Sequence, residues 1–353
     1  MTHQESLYGK TPDQLAALCG ELGMPRFAAR QIARWLYVRH TEDPLRMTDI
    51  AAAHRQRLAE RFSPALSAPE RVTESADGTK KYLFRTLEGH YVESAYIPDG
   101  ERATLCVSSQ AGCRMGCRFC ATGRQGLQQS LTAAEILNQA ISLPERDKLT
   151  NLVFMGMGEP MGNYRSIMSA VRQISAMPPE GFGISARNIT VSTVGVVPGI
   201  RKLAQEGIPV RLAVSLHAPN NDLRDELVPM NKRFNVEQVL DAAHDYYLAS
   251  KRRVSIEYAL MRGINDQAEH ARLLAKKLNH YGDNWAHVNP IPLNPIEGSK
   301  WTASKPEDEQ RFLEILNNAG VTATLRDTRG QDIDGACGQL AAKTIDTTMP
   351  QLS

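Results

Sequence analysis

The chain has 353 residues, 42% of them apolar and 23% charged, with a formal net charge of +2. That length asks for one large domain with a smaller appendage, and the composition excludes a disordered or fibrous chain. Near-balanced charge excludes a bulk polycation, so a nucleic-acid footprint must be a local patch.

The start, Met1-Thr2-His3-Gln4-Glu5-Ser6, lacks the apolar core of a secretory signal, and no apolar run approaches the ~18 residues that cross a bilayer. From 11 to 62 the pattern is helical. Thr11-Pro12-Asp13 caps a helix over 14–22 with Leu15, Leu18 and Cys19 on one face. A second helix, 26–39, offers Phe27, Ile32, Trp35 and Leu36 to a core. Arg26, Arg30 and Arg34 repeat at i, i+4, i+8 along one stripe, either a solvated face or a phosphate-tracking one. Residues 80–86 and 89–96 alternate like the two arms of a hairpin, with Glu93 an exposed residue of the second arm.

From 103 onward strands and helices alternate. Strands are expected at 104–108, 152–155, 189–192, 210–216, 254–260 and 287–291. Helices are expected near 132–143, 164–177, 197–206, 235–250, 267–280 and 306–319, and a last strand at 321–326. This predicts an α/β fold of parallel strands with right-handed crossovers. Six units are too few for a closed eight-unit barrel, so a partial, open β6α6-type barrel follows, with ligands beyond the carboxyl ends of its strands. The expected division is a helical accessory domain at 1–65, a β-hairpin connector at 66–102, the barrel core with its C-terminal extension at 103–342, and a tail at 343–353.

The loop after the first barrel strand holds Cys113-Arg114-Met115-Gly116-Cys117-Arg118-Phe119-Cys120. Three thiols spaced C-x3-C-x2-C without an adjacent fourth suggest a metal centre open on one side, as in an iron–sulfur cube held by three cysteines. A zinc site completed by a distant Cys or His is the alternative, as are unrelated buried thiols. The six cysteines (19, 106, 113, 117, 120 and 337) are too few and too clustered for a disulfide framework, which points to the cytoplasm. After the second strand, Met155-Gly156-Met157-Gly158-Glu159-Pro160 combines glycines that allow close backbone approach with a carboxylate for a cation.

The thiol loop and the Gly-Glu element together resemble the radical S-adenosylmethionine (SAM) superfamily. Several further motifs narrow the resemblance. Thr104-Leu105-Cys106-Val107-Ser108 leads into the loop, Ser192 lies in Val191-Ser192-Thr193, and Ser215-Leu216-His217 ends a strand. Asn294 sits in Pro292-Leu293-Asn294-Pro295 and Cys337 in Gly335-Ala336-Cys337-Gly338. Together these resemble the RlmN/Cfr family of RNA methyltransferases, which comprises RlmN-type adenine-C2 enzymes and the related Cfr-type adenine-C8 enzymes.

The resemblance implies a [4Fe–4S] cluster on Cys113, Cys117 and Cys120, and two SAM molecules per turnover. It implies SAM contacts from Gly158, Glu159, Ser192, Ser215, Leu216, His217 and Asn294. One SAM methylates Cys337; the other yields a 5′-deoxyadenosyl radical that activates that methyl group for addition to adenine. Cys106 releases the product by attacking sulfur, and either Glu93 or Cys106 removes the proton. The implied substrates are 23S rRNA near the peptidyl-transferase centre and the tRNA adenosine 3′ to the anticodon. The implied partner is a one-electron reductant such as flavodoxin, acting on a monomeric enzyme. Arg118, Arg124 and Lys251-Arg252-Arg253 join the arginine stripe as candidate phosphate contacts. Asp332 and Asp334 would raise a neighbouring thiol's pKa, so Cys337 needs a cation, which the bound sulfonium, Arg326 or Arg329 could supply. A radical enzyme acting on a peptide or small molecule would not need the Cys106/Cys337 pair.

Overall fold

The structure, a computed structural model, describes residues 5–41, 43–62 and 67–342. The expected boundary at 65/66 and the tail at 343–353 lie outside the described residues.

Three helices come first: α1 (Pro12–Glu21), α2 (Ala28–Tyr37) and α3 (Ala52–Arg61). Thr11 makes a full capping box with Gln14, which starts α1 where the sequence predicts. The second helix begins at Ala28 rather than Arg26 and buries Ile32, Trp35 and Leu36. Phe27 departs from expectation: it stands ahead of the first helical turn and is 67% exposed, on the same open side as Arg26, Arg30 and Arg34. These helices do not stand apart from the rest. Ser169 Oγ donates to the Gly9 carbonyl at 2.7 Å, and Gln173 Nε2 donates to that of Lys10 at 2.7 Å. One continuous apolar core joins them to the barrel.

The hairpin is present as β2 (Lys80–Arg85) and β3 (Tyr91–Asp99), paired antiparallel with Lys80 opposite Tyr96. A strand the pattern did not announce, β1 (Arg71–Glu74), adds to β2. Strand β4 (Arg102–Cys106) closes this antiparallel part and opens the parallel part. After it come β5 (Gln110–Cys113), α4 (Ala121–Gln125), β6 (Gly126–Ser130), α5 (Ala133–Ile141), β7 (Asn151–Phe154), α6 (Tyr164–Ser175), β8 (Ile189–Thr193) and α7 (Val197–Gln205). Then follow β9 (Arg211–Ser215), α8 (Asn221–Leu227), α9 (Val236–Ser250), β10 (Val254–Leu260), α10 (Ala268–Asn279), β11 (Ala286–Pro292) and α11 (Pro306–Asn318).

The main sheet runs β1-β2-β3-β4-β7-β8-β9-β10-β11, with β4 through β11 parallel. This is the expected six-stranded open barrel, extended at one edge by the hairpin layer. Strands β8 and β10 are buried at every position, as parallel strands covered on both faces must be. The expected last strand forms only a single bridge, Ala323 to Val288, though Thr324 N and Arg326 N continue the hydrogen bonds along β11. Its role is to carry Arg326 to the carboxyl end of the barrel.

Candidate active site

The segment expected as loop between 109 and 126 is tied at its base by a two-stranded ribbon, β5 with β6. Gly112 makes the closure possible. Its φ is +71°, and a Cβ there would lie 1.8 Å from the Gly126 carbonyl oxygen. The turn projecting from this ribbon carries the three thiols.

Strand ends deliver the remaining groups to one cavity of about 160 Å3. It is lined by Cys113, Cys117 and Cys120, by Gly158 and Glu159 after β7, and by Ser192, Ser215, His217, Asn294 and Cys337. Leu216 is absent from the lining: its side chain is fully buried in the core, and its N–H donates to the Glu257 carbonyl at 3.0 Å. Burial pushes the Cys113 thiol up to about 12 and raises Cys117 and Cys120 as well. Three thiols turned into one cavity and disfavoured as bare thiolates call for a cationic metal group. Among the described residues, no three Cys, His, Asp or Glu side chains gather tightly enough for a single ion. A zinc ion, with Zn–S of about 2.3 Å, draws its sulfurs together, whereas a cluster gives each thiolate its own iron. Three thiols on one turn, facing a shared cavity that is open on one side, fit a cluster in which each thiolate has its own iron.

Gly158 takes φ +98°, and a Cβ on it would sit 2.5 Å from the Gln110 Cβ. The close approach that requires glycine is thus to the protein's own Gln110, whose Oε1 accepts from Glu159 N at 2.9 Å. Glu159 is 1% exposed. Its carboxylate accepts from Met161 N at 3.0 Å and from Val194 N at 2.9 Å, and burial raises its pKa. Each of its two carboxylate oxygens is thus held by a backbone N–H at the cavity wall. His217 takes φ +60° and accepts from Ala259 N through Nδ1 at 3.0 Å. Burial, reinforced by Arg224, lowers it to about 3, so it is a neutral imidazole, packed edge-on against Phe119. Ser192 Oγ and Ser215 Oγ stand 3.4 Å apart.

Cys337 lines this cavity and also an adjoining one of about 330 Å3 that contains Cys106. The segment bearing Cys337 is fastened on several sides. Asn294 Nδ2 donates to the Cys337 carbonyl at 3.0 Å, Ala121 N to that of Gly338 at 2.8 Å, and Thr122 Oγ1 to that of Leu340 at 2.6 Å. The Asp332 carboxylate is taken up by Ser75 Oγ and Ala76 N, and it lines neither cavity. Arg326 does the opposite. It lines both cavities, pairs with Glu257 at 3.4 Å, and its charge is reinforced by Cys337, Glu257 and Cys106. Cys106 itself is pushed up to about 12, mainly by burial.

Glu93 is not the exposed strand residue expected: it is 3% exposed. Its carboxylate pairs with Lys81 at 3.3 Å and accepts from Ala341 N at 3.0 Å and Ala342 N at 3.2 Å. It lines neither cavity. Glu257 was missed by the sequence reading, although a carboxylate inside the apolar run Val254-Ser255-Ile256-Glu257-Tyr258 was a legible signal. Arg118 and Arg124 are exposed beside the thiol loop, whereas Lys251, Arg252 and Arg253 lie before β10, at the far end of the barrel from the site.

The chain matches the Radical SAM superfamily over residues 107–275 and the ribosomal RNA large subunit methyltransferase N-terminal domain over residues 6–63. It is 68% identical to the probable dual-specificity RNA methyltransferase RlmN of Bifidobacterium adolescentis, across 92% of this chain and 87% of that protein. To the protein of the same name from Corynebacterium diphtheriae it is 53% identical, across 92% and 89%. The crystal structure of a radical SAM methyltransferase from Sphaerobacter thermophilus superposes with a TM-score of 0.89 at 43% identity, covering 96% of this chain and all of that one.

Proposed function

Because this chain belongs to the RlmN family of radical SAM RNA methyltransferases, we propose that it converts adenosine to 2-methyladenosine at the peptidyl-transferase centre of 23S rRNA and at the tRNA adenosine 3′ to the anticodon. The observation that carries the assignment is the position of Cys337. It is shared by the three-thiol cavity and by the cavity holding Cys106 and Arg326.

In this reading Cys113, Cys117 and Cys120 hold the cluster. When bound, the cluster and SAM supply the radical chemistry that an electron-poor adenine carbon requires. Glu159 meets the amino group of SAM, with Gly158 shaping the turn. Ser192, Ser215, the Leu216 backbone and neutral His217 border its carboxylate, ribose and base. The Asn294 side chain already holds the Cys337 carbonyl and accepts from Gln331 Nε2 at 2.7 Å, so it positions the Cys337 segment as much as it borders SAM. Cys337 carries the methyl group, and Cys106 attacks its sulfur to free the product. That attack breaks the bond between sulfur and the methylene carbon as a Cys106–Cys337 disulfide forms; the electron pair goes to the carbon, which takes a proton from water to become the product methyl group. Arg326 is the cation that favours the attacking thiolate. Glu93 is committed to Lys81 and the C-terminal amides, so the proton acceptor is Cys106 in its minor thiolate form, favoured by Arg326, and that proton must pass to solvent before Cys106 attacks sulfur.

We assign residues 1–65 to RNA binding through the exposed arginines of α2, 66–102 to a connector, and 103–342 to catalysis. The target base must leave its stack to reach Cys337. A one-electron reductant such as flavodoxin completes the system, working on a monomer in the cytoplasm. No helix among the described residues is long and apolar enough to cross a membrane. The test is nucleoside mass spectrometry of rRNA and tRNA incubated with the anaerobically purified protein. It should show 2-methyladenosine in both, lost with Cys337→Ala. Methylation at carbon 8, or methylation by Cys337→Ala, would refute the assignment.

A further inference from the structure

Arg224, on α8, is 0% exposed and is the only buried arginine among the described residues. Its Nε donates to the Leu216 carbonyl at 2.9 Å. Its Nη1 donates to Asn231 Oδ1 at 3.1 Å and the Phe234 carbonyl at 3.4 Å, and its Nη2 to the carbonyls of Val194 and Ser215. Every acceptor is neutral. No ion pair to Arg224 is found among the described residues; the neighbouring Asp225 instead accepts from Asn231 Nδ2 at 2.7 Å. The hydrogen-bonding capacity of the guanidinium is met, but its charge is not. A buried charge without a counter-charge is costly, and proteins pair such charges or place them beside a metal group.

The direction of the missing anion can be read from what surrounds the helix. Arg118 N donates to the Leu227 carbonyl at 3.1 Å, which seats the thiol loop on α8. Phe119, Cys117 and Cys120 pack with Leu223, Leu227 and Val228 in one apolar cluster. The guanidinium therefore lies behind the cavity wall, on the thiol-loop side, fixed by bonds to the ends of β8 and β9.

We propose that Arg224 is the buried counter-charge of the cluster held by Cys113, Cys117 and Cys120, and that it raises the cluster's reduction potential. The inference rests on those cysteines being cluster ligands. Three thiolates make the centre anionic, and reduction adds one more negative charge in a site screened from water. A fixed positive charge favours the reduced form, since net charge, hydrogen bonding and exposure set cluster potentials. The carbonyl cage keeps the guanidinium from turning away when the cluster changes charge.

The experiment uses the anaerobically reconstituted full chain. Iron, acid-labile sulfide and visible absorbance establish the cluster in the wild type; a wild type without one would overturn the ligand assignment and this inference together. With the cluster present, an EPR-monitored redox titration compares the wild type with Arg224→Met, Arg224→Lys and Asp225→Asn. At a fixed potential, Arg224→Met should lower the ratio of reduced to oxidised cluster about tenfold, equivalent to about 59 mV for a one-electron couple, and Arg224→Lys by less than about threefold. Asp225→Asn, which removes the neighbouring carboxylate, should shift the potential the opposite way. A full cluster at wild-type potential in Arg224→Met, or equal shifts for Met and Lys, would make Arg224 a strap between loops and end the proposal. If the Met protein does not fold, Asp225→Asn decides, and an unchanged potential there also refutes it.

Discussion

The proposed release step depends on a thiol that its surroundings keep protonated. Burial pushes Cys106 up to about 12 from an ordinary value of 9.0, with Arg326 acting the other way. At pH 8 a thiol of pKa 9 is thiolate in about one molecule in ten, and one of pKa 12 in about one in ten thousand. The attacking species is the deprotonated form, so its population rises about tenfold per pH unit until pH approaches the pKa. The covalent protein–RNA species, accumulated at pH 7 and then jumped to higher pH, should therefore resolve with a slope near one in log rate against pH, without a plateau up to about pH 9.5. Arg326→Met removes the cation facing both thiols. Each unit of further rise in the Cys106 pKa costs about tenfold in thiolate, offset about threefold by greater intrinsic nucleophilicity, for a net slowing of about threefold. Quenched-flow sampling with denaturing gels follows the adduct directly. A plateau with an apparent pKa below 9, or wild-type resolution in Arg326→Met, would show that Cys106 does not attack from the environment described.

Three further outcomes are expected. Gly158→Ala places a Cβ 2.5 Å from Gln110 at φ +98°; it should cost about 1–3 kcal/mol, and an unchanged Tm in calorimetry would contradict the steric argument. Glu93→Ala leaves the amides of Ala341 and Ala342 without their acceptor, a local loss of about 1–3 kcal/mol for a buried donor. Limited proteolysis of the folded protein should then cut the segment after Gly330 faster while α1 to α11 stay resistant; unchanged cleavage would show that Glu93 is not a latch. Replacing Arg26, Arg30 and Arg34 by Gln should weaken RNA binding and flatten the log K against log salt slope by about 2–3. An unaltered slope would mark the stripe as a solvated face.

The barrel was legible because its strands are short apolar runs between helices of the right length, and only the ends moved by a residue or two. What escaped the sequence was decided by contacts between distant segments. Alternation placed Glu93 on an outward face, but the C-terminal segment covers that face and supplies the amides that bind it. The β5–β6 ribbon has little β propensity, in Gln110-Ala111-Gly112-Cys113 or in Gly126-Leu127-Gln128-Gln129-Ser130. It forms because Gly112 lets two backbones meet. Phe27 looked like core by residue type, yet it precedes the helix and so falls outside the helical spacing that buries Ile32 and Trp35. Leu216 was grouped with its neighbours as a SAM contact, but strand alternation turns its side chain to the core, opposite Ser215 and His217. The three-thiol cavity was foreseeable from spacing alone; the approach of Cys337 to it was not.

In the proposed mechanism, that approach lets one residue serve two partners. A group-carrying cysteine must first meet a methyl donor and then a base, and both must come to it if its backbone is fixed. Cys337 is held by its own carbonyl and by that of Gly338, through Asn294 and Ala121, bonds that leave the sulfur uncommitted. Its position borders the cluster-side cavity on one side and the Cys106 cavity on the other, with Arg326 and Asn294 shared between them. The fastening is on the backbone and the freedom is on the side chain. The same division explains why small residues surround it: Gly335, Ala336 and Gly338 leave room on either side of the thiol while the carbonyls on both sides anchor the turn. Ala336 borders only the Cys106 cavity, so a larger residue there should impair base addition, read as methylated RNA, more than methyl loading of Cys337, read by mass spectrometry of the protein; equal loss of both would refute the division.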